Sequence, residues 1–266
     1  MNQSNNLSKQ EIVRLLGKSD YDIHTEYSVT STNTLLKELA KKGEKAGYVL
    51  LAQQQTQGRG RLGRKFYSTG GTGLYMSVIL RPEIPIKDAL FITTSAAVAA
   101  SRAIEAIADV KAEIKWVNDI YICGRKVCGI LTESSVNFEN GMLEYAVLGI
   151  GVNIFPPENG FPDDIKDIAA SIFSDRNQKN ILNRLAAEIL KQLGSLPDSF
   201  ITDKIMNEYR QRSMLTGKEA YAIINNEKVH CTVLGIDERA RLSVRFDNGE
   251  TQTLSSGEVS IKPINT

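Results

Sequence analysis

The chain is poor in the residues that most often build a site by themselves. It has 3 cysteines, Cys123, Cys128 and Cys231, and 2 histidines, His24 and His230. So sparse and odd a cysteine set makes no disulfide framework and fits a reducing, cytoplasmic setting. Two histidines cannot assemble a zinc site of ordinary Cys/His spacing. The opening residues MNQSNNLSKQE are polar and lack the apolar core of a signal peptide. No run of about 18 apolar residues stands out, so no membrane span is expected. A net charge of +1 excludes the domain-wide basic excess of a dedicated nucleic-acid binder. One sign of charge is also missing locally, since no Asp or Glu occurs between Glu44 and Glu83.

Inside that acid-free stretch lies QGRGRLGRK, residues 57–65, where Arg59, Arg61, Arg64 and Lys65 are set among Gly58, Gly60 and Gly63. The cations repel one another, have no acidic partner close in sequence, and the glycines supply no packing. An anionic ligand would order such a loop, because glycine amides and guanidiniums can wrap a phosphate chain. The alternative is a solvated surface loop. Gly58-x-Gly60-x-x-Gly63 matches the dinucleotide fingerprint only formally, because RKFYSTGGTG after it cannot open the helix that motif requires. A P-loop fails too, since Arg64-Lys65 stands where Lys-Ser/Thr is needed.

With 42% hydrophobic and 24% charged residues in 266, the chain suits one large domain and a small one. Capping residues and apolar periodicity predict helices over 8–17, 31–42, 88–107, 181–193 and 202–211. The helix over 88–107 is apolar on most faces and reads as central and buried. Strands are expected over 22–28, 49–54, 74–80, 113–116, 119–123, 127–134 and 142–151. In the strand over 74–80, Leu74, Met76, Val78 and Leu80 alternate inward. Gly124-Arg125 and Asn140-Gly141 read as hairpin turns, and 155–167 as an irregular loop. From Thr216 the texture changes to short strands with turns at Asn225-Asn226 and Asn248-Gly249. That divides the chain into 1–214 and an all-β segment, 215–266, too small to be comfortable without leaning on the rest.

The remaining polar signals are each open to two readings. A triphosphate needs a metal and a metal needs a carboxylate; in KWVND, Asp119 could bind Mg²⁺ with Asn118 beside it, or the pair could form an Asx turn. Lys126, just after the Gly124-Arg125 turn, is a site cation or a solvated turn lysine. Ser31-Thr32-Asn33 is a ligand contact or a helix cap. Asn153, after GIGVN, is similarly divided.

Taken together and in this order, the segments resemble the biotin protein ligases (biotin–[acetyl-CoA-carboxylase] ligases). The matching pieces are STN at 31–33, QTQGRGRLGRKF at 55–66, GTGLYMSVILRP at 71–82, KWVNDIY at 115–121, GRKVCGILTE at 124–133 and GIGVN at 149–153, with FP at 161–162, AAS at 169–171 and GEVSIKP at 257–263 continuing them. The resemblance implies an α+β fold, a mixed sheet flanked by helices of the class II synthetase-like type, followed by a small C-terminal SH3-like β-barrel. It implies biotin and MgATP as ligands, biotinyl-5′-AMP as product of a first step, and a lysine of a biotin carboxyl carrier protein as acceptor in a second. Carried over, Ser31, Thr32, Asn33 and Gln55 resemble polar contacts to biotin, with the backbone of Gly58, Arg59 and Gly60 against it. Arg61 and Arg64 resemble residues near the phosphates, and Lys126 the lysine that grips the biotin carboxylate and α-phosphate. Asn118 and Asp119 would serve metal and triphosphate, Asn153 the nucleotide; Trp116 and Gly129 belong to the same motifs. Val117 replaces the commoner Pro, Phe66 the commoner Trp, and Gln57 stands where a small residue is usual.

Some members of that family also repress transcription through an N-terminal winged helix. Only about 30 residues with one helix precede STN, roughly half of what a helix-turn-helix with its supports needs, so a single-function ligase without specific DNA binding is expected. A lipoate or octanoate transferase of related fold would lack the GRGR loop. A passive binder of a phosphorylated ligand would carry the same residues. Exposed strand edges could pair two subunits or receive the carrier.

Overall fold

The computed structural model describes residues 6–224, 227–255 and 259–264. Helix α1 (Lys9–Leu16) begins where the Ser8 side chain accepts from the Glu11 amide and stops at Gly17. Helix α2 (Thr32–Lys41) is capped in the same way by Ser31, which accepts from the Thr34 amide. Helices α3 (Leu90–Ala108), α4 (Ile181–Gly194) and α5 (Asp203–Gln211) complete the helical set, the last capped by Thr202. Each Ser or Thr cap satisfies an amide that the first turn would otherwise leave unpaired.

Seven strands, β1 (Asp22–Val29), β2 (Tyr48–Gln55), β3 (Gly73–Leu80), β4 (Glu113–Lys115), β5 (Asp119–Ile122), β6 (Arg125–Asn137) and β7 (Met142–Asn153), form one sheet in the order β1-β2-β3-β7-β6-β5-β4. Only β1 and β2 run parallel. Alternate residues of a strand share a face. On one face Leu74, Met76, Val78, Ile130, Leu148, Ile150 and Val152 join Ile92, Ala96 and Ala103 of α3 and Leu185 and Ile189 of α4 in the main core. On the other, Leu50, Ile79, Tyr145 and Val147 pack beneath Leu36 and Ala40 of α2.

Two expectations need correction. The strand over 74–80 does not carry Leu80 fully inward, since Leu80 is only half-buried at its end, and β3 is buried on both faces: α2 covers Ser77 and Ile79, and the Phe66 ring stands edge-on to Tyr75. The hairpin after β5 turns on Cys123-Gly124, one residue earlier than Gly124-Arg125. Both residues take positive φ, 49° and 73°, the pairing a tight two-residue hairpin demands, and Arg125 already opens β6. By contrast, Ile86–Ala108, long and apolar enough to cross a membrane by length and composition, is mostly buried inside the protein. That burial is the role expected of a central helix.

The irregular segment after β7 is tied down at its middle. Lys126 N–H donates to the Ile168 carbonyl and Ala170 N–H to that of Lys126, both at 2.8 Å. A second, five-stranded antiparallel sheet follows, from β8 (Glu219–Ile224), β9 (Glu227–Ile236), β10 (Leu242–Phe246), β11 (Thr251–Leu254) and β12 (Val259–Pro263), in the order β11-β10-β9-β8-β12. The Asn225-Asn226 turn and the Gly257-Glu258 start of GEVSIKP lie outside the described residues. The small sheet does lean on the main domain. Ala222, Val233, Leu242 and Leu254 continue the main core, the Trp116 indole donates to the Ala240 carbonyl at 2.9 Å, and Arg210 Nε donates to that of Ile236 at 2.9 Å.

An ion-pair network joins α3 to α5. Arg212 lies 2.7 Å from Glu105 and 3.0 Å from Glu208, and Arg102 pairs with Glu208 as well. Burial pushes both carboxyls up, and the arginine hydrogen bonds outweigh it, leaving Glu105 and Glu208 below the ordinary glutamate value. A carboxyl whose folded pKa is depressed stabilises the fold above its unfolded pKa and ceases to as pH falls through the folded one. The urea midpoint should therefore decline as pH drops from about 5 towards 3. Arg212→Leu should cost about 1–3 kcal/mol at pH 7 and make that acid decline shallower; an equally steep decline in the variant would contradict the assignment.

Candidate active site

The N-terminus of α2, the end of β2 and the middle of the β6–β7 hairpin meet on the α2 face of the sheet. Ser31, Thr32, Asn33 and Gln55 line one end of the resulting pocket. Gln55 Oε1 accepts from the Thr32 amide at 2.8 Å, and its Nε2 donates to Ser68 Oγ at 3.2 Å. Asn33 Nδ2 donates to the Leu131 carbonyl at 3.2 Å. A carbonyl only accepts, so the Asn33 amide is oriented, and its Oδ1 receives the Ser77 hydroxyl at 2.6 Å. Ser31 is the helix cap, whereas Thr32 and Asn33 spend their side chains on this network.

The floor is made of glycine. In the antiparallel register Gly129 faces Gly151 and Leu131 faces Gly149. A β-carbon on Gly149 would overlap Asn33 Oδ1, and one on Gly129 or Gly151 would come within 2.9 or 2.8 Å of the Phe66 ring. Phe66 thus rests on bare backbone, 5.8 Å from Lys126 Nζ and edge-on to Tyr75 at 6.3 Å. Burial pushes the Tyr75 phenol up to about 12, so it stays protonated at neutral pH.

Over this floor lies the basic loop, folded back on itself. Gly60 N–H donates to the Arg64 carbonyl at 2.7 Å and Phe66 N–H to that of Gly58 at 3.0 Å. Gly58 is buried at the loop's base. Arg59, Gly60, Arg61, Arg64 and Lys65 line the pocket. The acidic partner lacking nearby in sequence is supplied in space by β6, where Glu133 Oε2 lies 3.1 Å from Arg59. Arg61 donates to Asn118 Oδ1 at 3.0 Å, and Asn118 Nδ2 donates to the Ile130 carbonyl at 2.8 Å. Burial draws the Arg61 guanidinium below the usual arginine value against the opposing pull of Asp119.

The KWVND segment closes the far wall. Its Trp116–Val117 peptide bond is cis. The Tyr209 hydroxyl donates to the Val117 carbonyl at 3.0 Å, while Lys115, Trp116, Asn118 and Asp119 line the pocket. Lys126 Nζ lies 2.6 Å from Asp119 Oδ1, so the cation set by the hairpin already carries a counter-ion. Among the described residues no cluster of three or more His, Cys, Asp or Glu side chains could hold a metal, and Asp119 is the carboxylate among the described lining residues. One carboxylate suits Mg²⁺, which takes its other ligands from phosphate oxygens and water. Asn153 is not among the lining residues; it donates to the Ala170 carbonyl at 3.1 Å and ties the following segment to β7.

Sequence reasoning overlooked Tyr75, Lys115, Gly149 and Gly151 in the lining, and Glu133 behind the loop. The signals were present in GIGVN, where Gly149 and Gly151 stand two residues apart, and in GRKVCGILTE, where Gly129 and Glu133 stand four apart, even spacings that put each pair on one strand face.

Fold and pocket together define a class: an α+β domain with a glycine-floored pocket between a polar network and a cluster of cations. Residues 26–153 match the model of the Biotin/lipoate A/B protein ligase family. The Bifunctional ligase/repressor BirA of Bacillus subtilis (strain 168) is 41% identical over 151 residues, 57% of this chain and 46% of that protein. The chain thus matches about half the length of that relative. The Biotin--[acetyl-CoA-carboxylase] ligase of Mycobacterium tuberculosis is 29% identical over 239 residues, 86% of this chain and 85% of the relative. Among solved structures, the biotin protein ligase from Aquifex aeolicus in complex with biotin and ATP superposes with a TM-score of 0.72 and 27% identity, over 91% of this chain and 99% of the other.

The close approach at Gly149 generates a prediction. Gly149→Ala should displace the Asn33 amide and destabilise the protein by about 1–3 kcal/mol. Adding Asn33→Ala should recover most of that loss, because it removes the colliding atom. Thermal unfolding of both variants is the measurement, and additive losses would rule the clash out.

Proposed function

We propose that the protein is a biotin protein ligase, which activates biotin with ATP to biotinyl-5′-AMP and pyrophosphate and passes biotin to a lysine of a biotin carboxyl carrier protein, that of acetyl-CoA carboxylase or another biotin-dependent enzyme. The observation that carries this reading is the polarity of the pocket. A neutral donor–acceptor network of Thr32, Asn33 and Gln55 stands where Asn33 meets Gly149, and Lys126 stands further along the floor beside Gly129, with Arg61 and Arg64 also in the lining. A ligand with an uncharged polar head and a carboxylate tail fits that order, and the similar Aquifex protein is described with biotin and ATP.

In this reading the Ser31–Asn33 turn and Gln55 hydrogen-bond the head of biotin, with Gly58, Arg59 and Gly60 against it. Lys126 exchanges Asp119 for the biotin carboxylate and the α-phosphate. Arg61 and Arg64 offset the remaining phosphate charge, so that catalysis comes from positioning and preorganised electrostatics. Asp119, with Asn118 beside it, would hold Mg²⁺, which when bound offsets phosphate charge. Trp116 and Gly129 are wall and floor, and Asn153 steadies the adjoining segment. The loop covers the mixed anhydride from water until an acceptor lysine arrives. We assign 1–214 to the catalytic domain and 215–266 to the SH3-like one, and place the activity in the cytoplasm. The outer edge of β1 is open in the sheet order, and offers itself to the carrier or to a second copy in a homodimer.

The deciding experiment measures pyrophosphate from biotin and ATP, with lipoate and octanoate as rival substrates. Biotin-dependent release is expected; release only with the rivals, or none, would overturn the reading. Lys126→Ala should lower the rate about 10²–10³-fold in a protein that still folds, and a near-normal rate would remove Lys126 from its role.

Specific DNA binding is not part of this proposal, although the Bacillus relatives are named ligase/repressor. Among the described residues α1 is the one helix before β1, and it is held to α4 through Ser8 N–H and Asn183 Oδ1 at 2.8 Å. No shift of promoter DNA by this chain is expected with or without biotin; a shift that survives competitor DNA and physiological salt would contradict this.

A further inference from the structure

We infer that Glu133 is a positioning residue, which locks the basic loop to the N-terminus of α2 across the pocket. Its role deepens the ligase reading and rests on it only where biotin is concerned.

Glu133 lies on β6 two residues beyond Leu131, on the same sheet face, and opposite Val147. Its side chain is 14% exposed. Oε1 is 3.0 Å from Lys37 Nζ of α2. Oε2 is 3.1 Å from Arg59 Nη1 in the loop and 3.3 Å from Asn33 Nδ2 at the pocket. One carboxylate thus joins three pieces of chain that approach the pocket separately: the loop, the first turn of α2 and β6. Lys37 and Asn33 sit one turn apart on α2, so the carboxylate spans that turn while reaching the loop.

The arrangement also answers an electrostatic difficulty. A loop of cations needs an acid to dock it when no ligand is bound, but an acid on the pocket wall would repel an anionic ligand. Asp119 is on the wall and is engaged with Lys126. Glu133 is not a wall residue and reaches Arg59 from behind. It can hold the loop in register without spending the charge that Arg61 and Arg64 present. Glu133 is itself largely shielded from water while Arg59 is 45% exposed, so the tie is a charge-assisted hydrogen bond with one shielded partner. Burial pushes this carboxyl up, and hydrogen bonds from Lys37 and Asn33 with the Arg59 charge bring it below the usual glutamate value, which is what a carboxylate serving as a tie requires.

The test uses the full chain and Glu133→Gln, which keeps the shape and removes the charge. Without ligand, amide hydrogen exchange across 57–66, where Gly60 and Phe66 donate within the loop, should quicken about tenfold, the effect of losing one charge-assisted hydrogen bond. Lys37→Gln, which removes a partner outside the loop, should leave that exchange within about twofold. Arg59→Gln should match Glu133→Gln, and the double variant should be no faster than either, since both break one link. Unchanged exchange in Glu133→Gln, additive effects of the pair, or a uniform rise through β6 and β7 would overturn the proposal. In a second arm, biotin dissociation from Glu133→Gln should be about tenfold faster, while adenylation at saturating biotin falls less than about twofold. Normal dissociation beside a loosened loop would overturn the link to the pocket. A wild-type protein that binds no biotin would instead sink the ligase reading, and the exchange experiment would still decide what Glu133 does.

Discussion

A side chain can lie directly on a β-sheet only where the strand beneath it has no β-carbon, and the pocket depends on three such places. Gly129 and Gly151 face each other across β6 and β7, and Gly149 sits one pair further along, opposite Leu131. The first two admit the Phe66 ring and the third admits the Asn33 amide. Because Phe66 ends the basic loop and Asn33 begins α2, the same bare patch draws both covering elements down to one level. A β-carbon at any of the three would lift one cover and leave the other in place. The geometry of the polar network and that of the cations are therefore set by one stretch of backbone.

Electrostatics then decides where the acids stand. The loop brings Arg59, Arg61, Arg64 and Lys65 together from a segment with no acid of its own. The balancing carboxylates arrive from strands at the other end of the sheet order, Asp119 on β5 against Lys126 and Glu133 on β6 against Arg59. Leaving a half-buried lysine without a partner would cost several kcal/mol, and the 2.6 Å contact with Asp119 avoids that in the absence of ligand. In the ligase reading proposed above, an incoming carboxylate would take over the lysine from Asp119, exchanging one ion pair for another.

How much of this could be read from the chain depends on distance along it. The helix caps Ser8, Ser31 and Thr202 were legible because a cap and its amide are three residues apart. The cationic loop was legible because its charges and glycines are contiguous, and most of the expected site residues come together around it. The Arg59–Glu133 tie was not, since its partners stand 74 residues apart and neither motif names the other. The two-sided burial of β3 was missed because alternation marks the Leu74–Met76–Val78 face and cannot show that α2 covers Ser77 and Ile79 and Phe66 stands against Tyr75. The Cys123-Gly124 turn was placed one residue late because a cysteine at positive φ carries no compositional signal. Asn153 was drawn towards the pocket by its neighbours in GIGVN, whereas the glycines before it are what the pocket uses.

The single tryptophan shows how the second sheet enters the site. Around KWVND the chain divides its side chains: Asn118 and Asp119 turn to the cations, and Trp116, although it touches the pocket, sends its indole N–H to the Ala240 carbonyl behind it. Val117 offers its carbonyl to Tyr209 of α5, and Arg210 of the same helix reaches the Ile236 carbonyl. The end of β9 and the turn after it thus brace the wall that carries Asp119. Five strands of this size would bury little apolar surface alone, and here their core is continuous with that of the larger sheet. Through these hydrogen bonds the small sheet forms the outer support of the wall that carries Asn118 and Asp119.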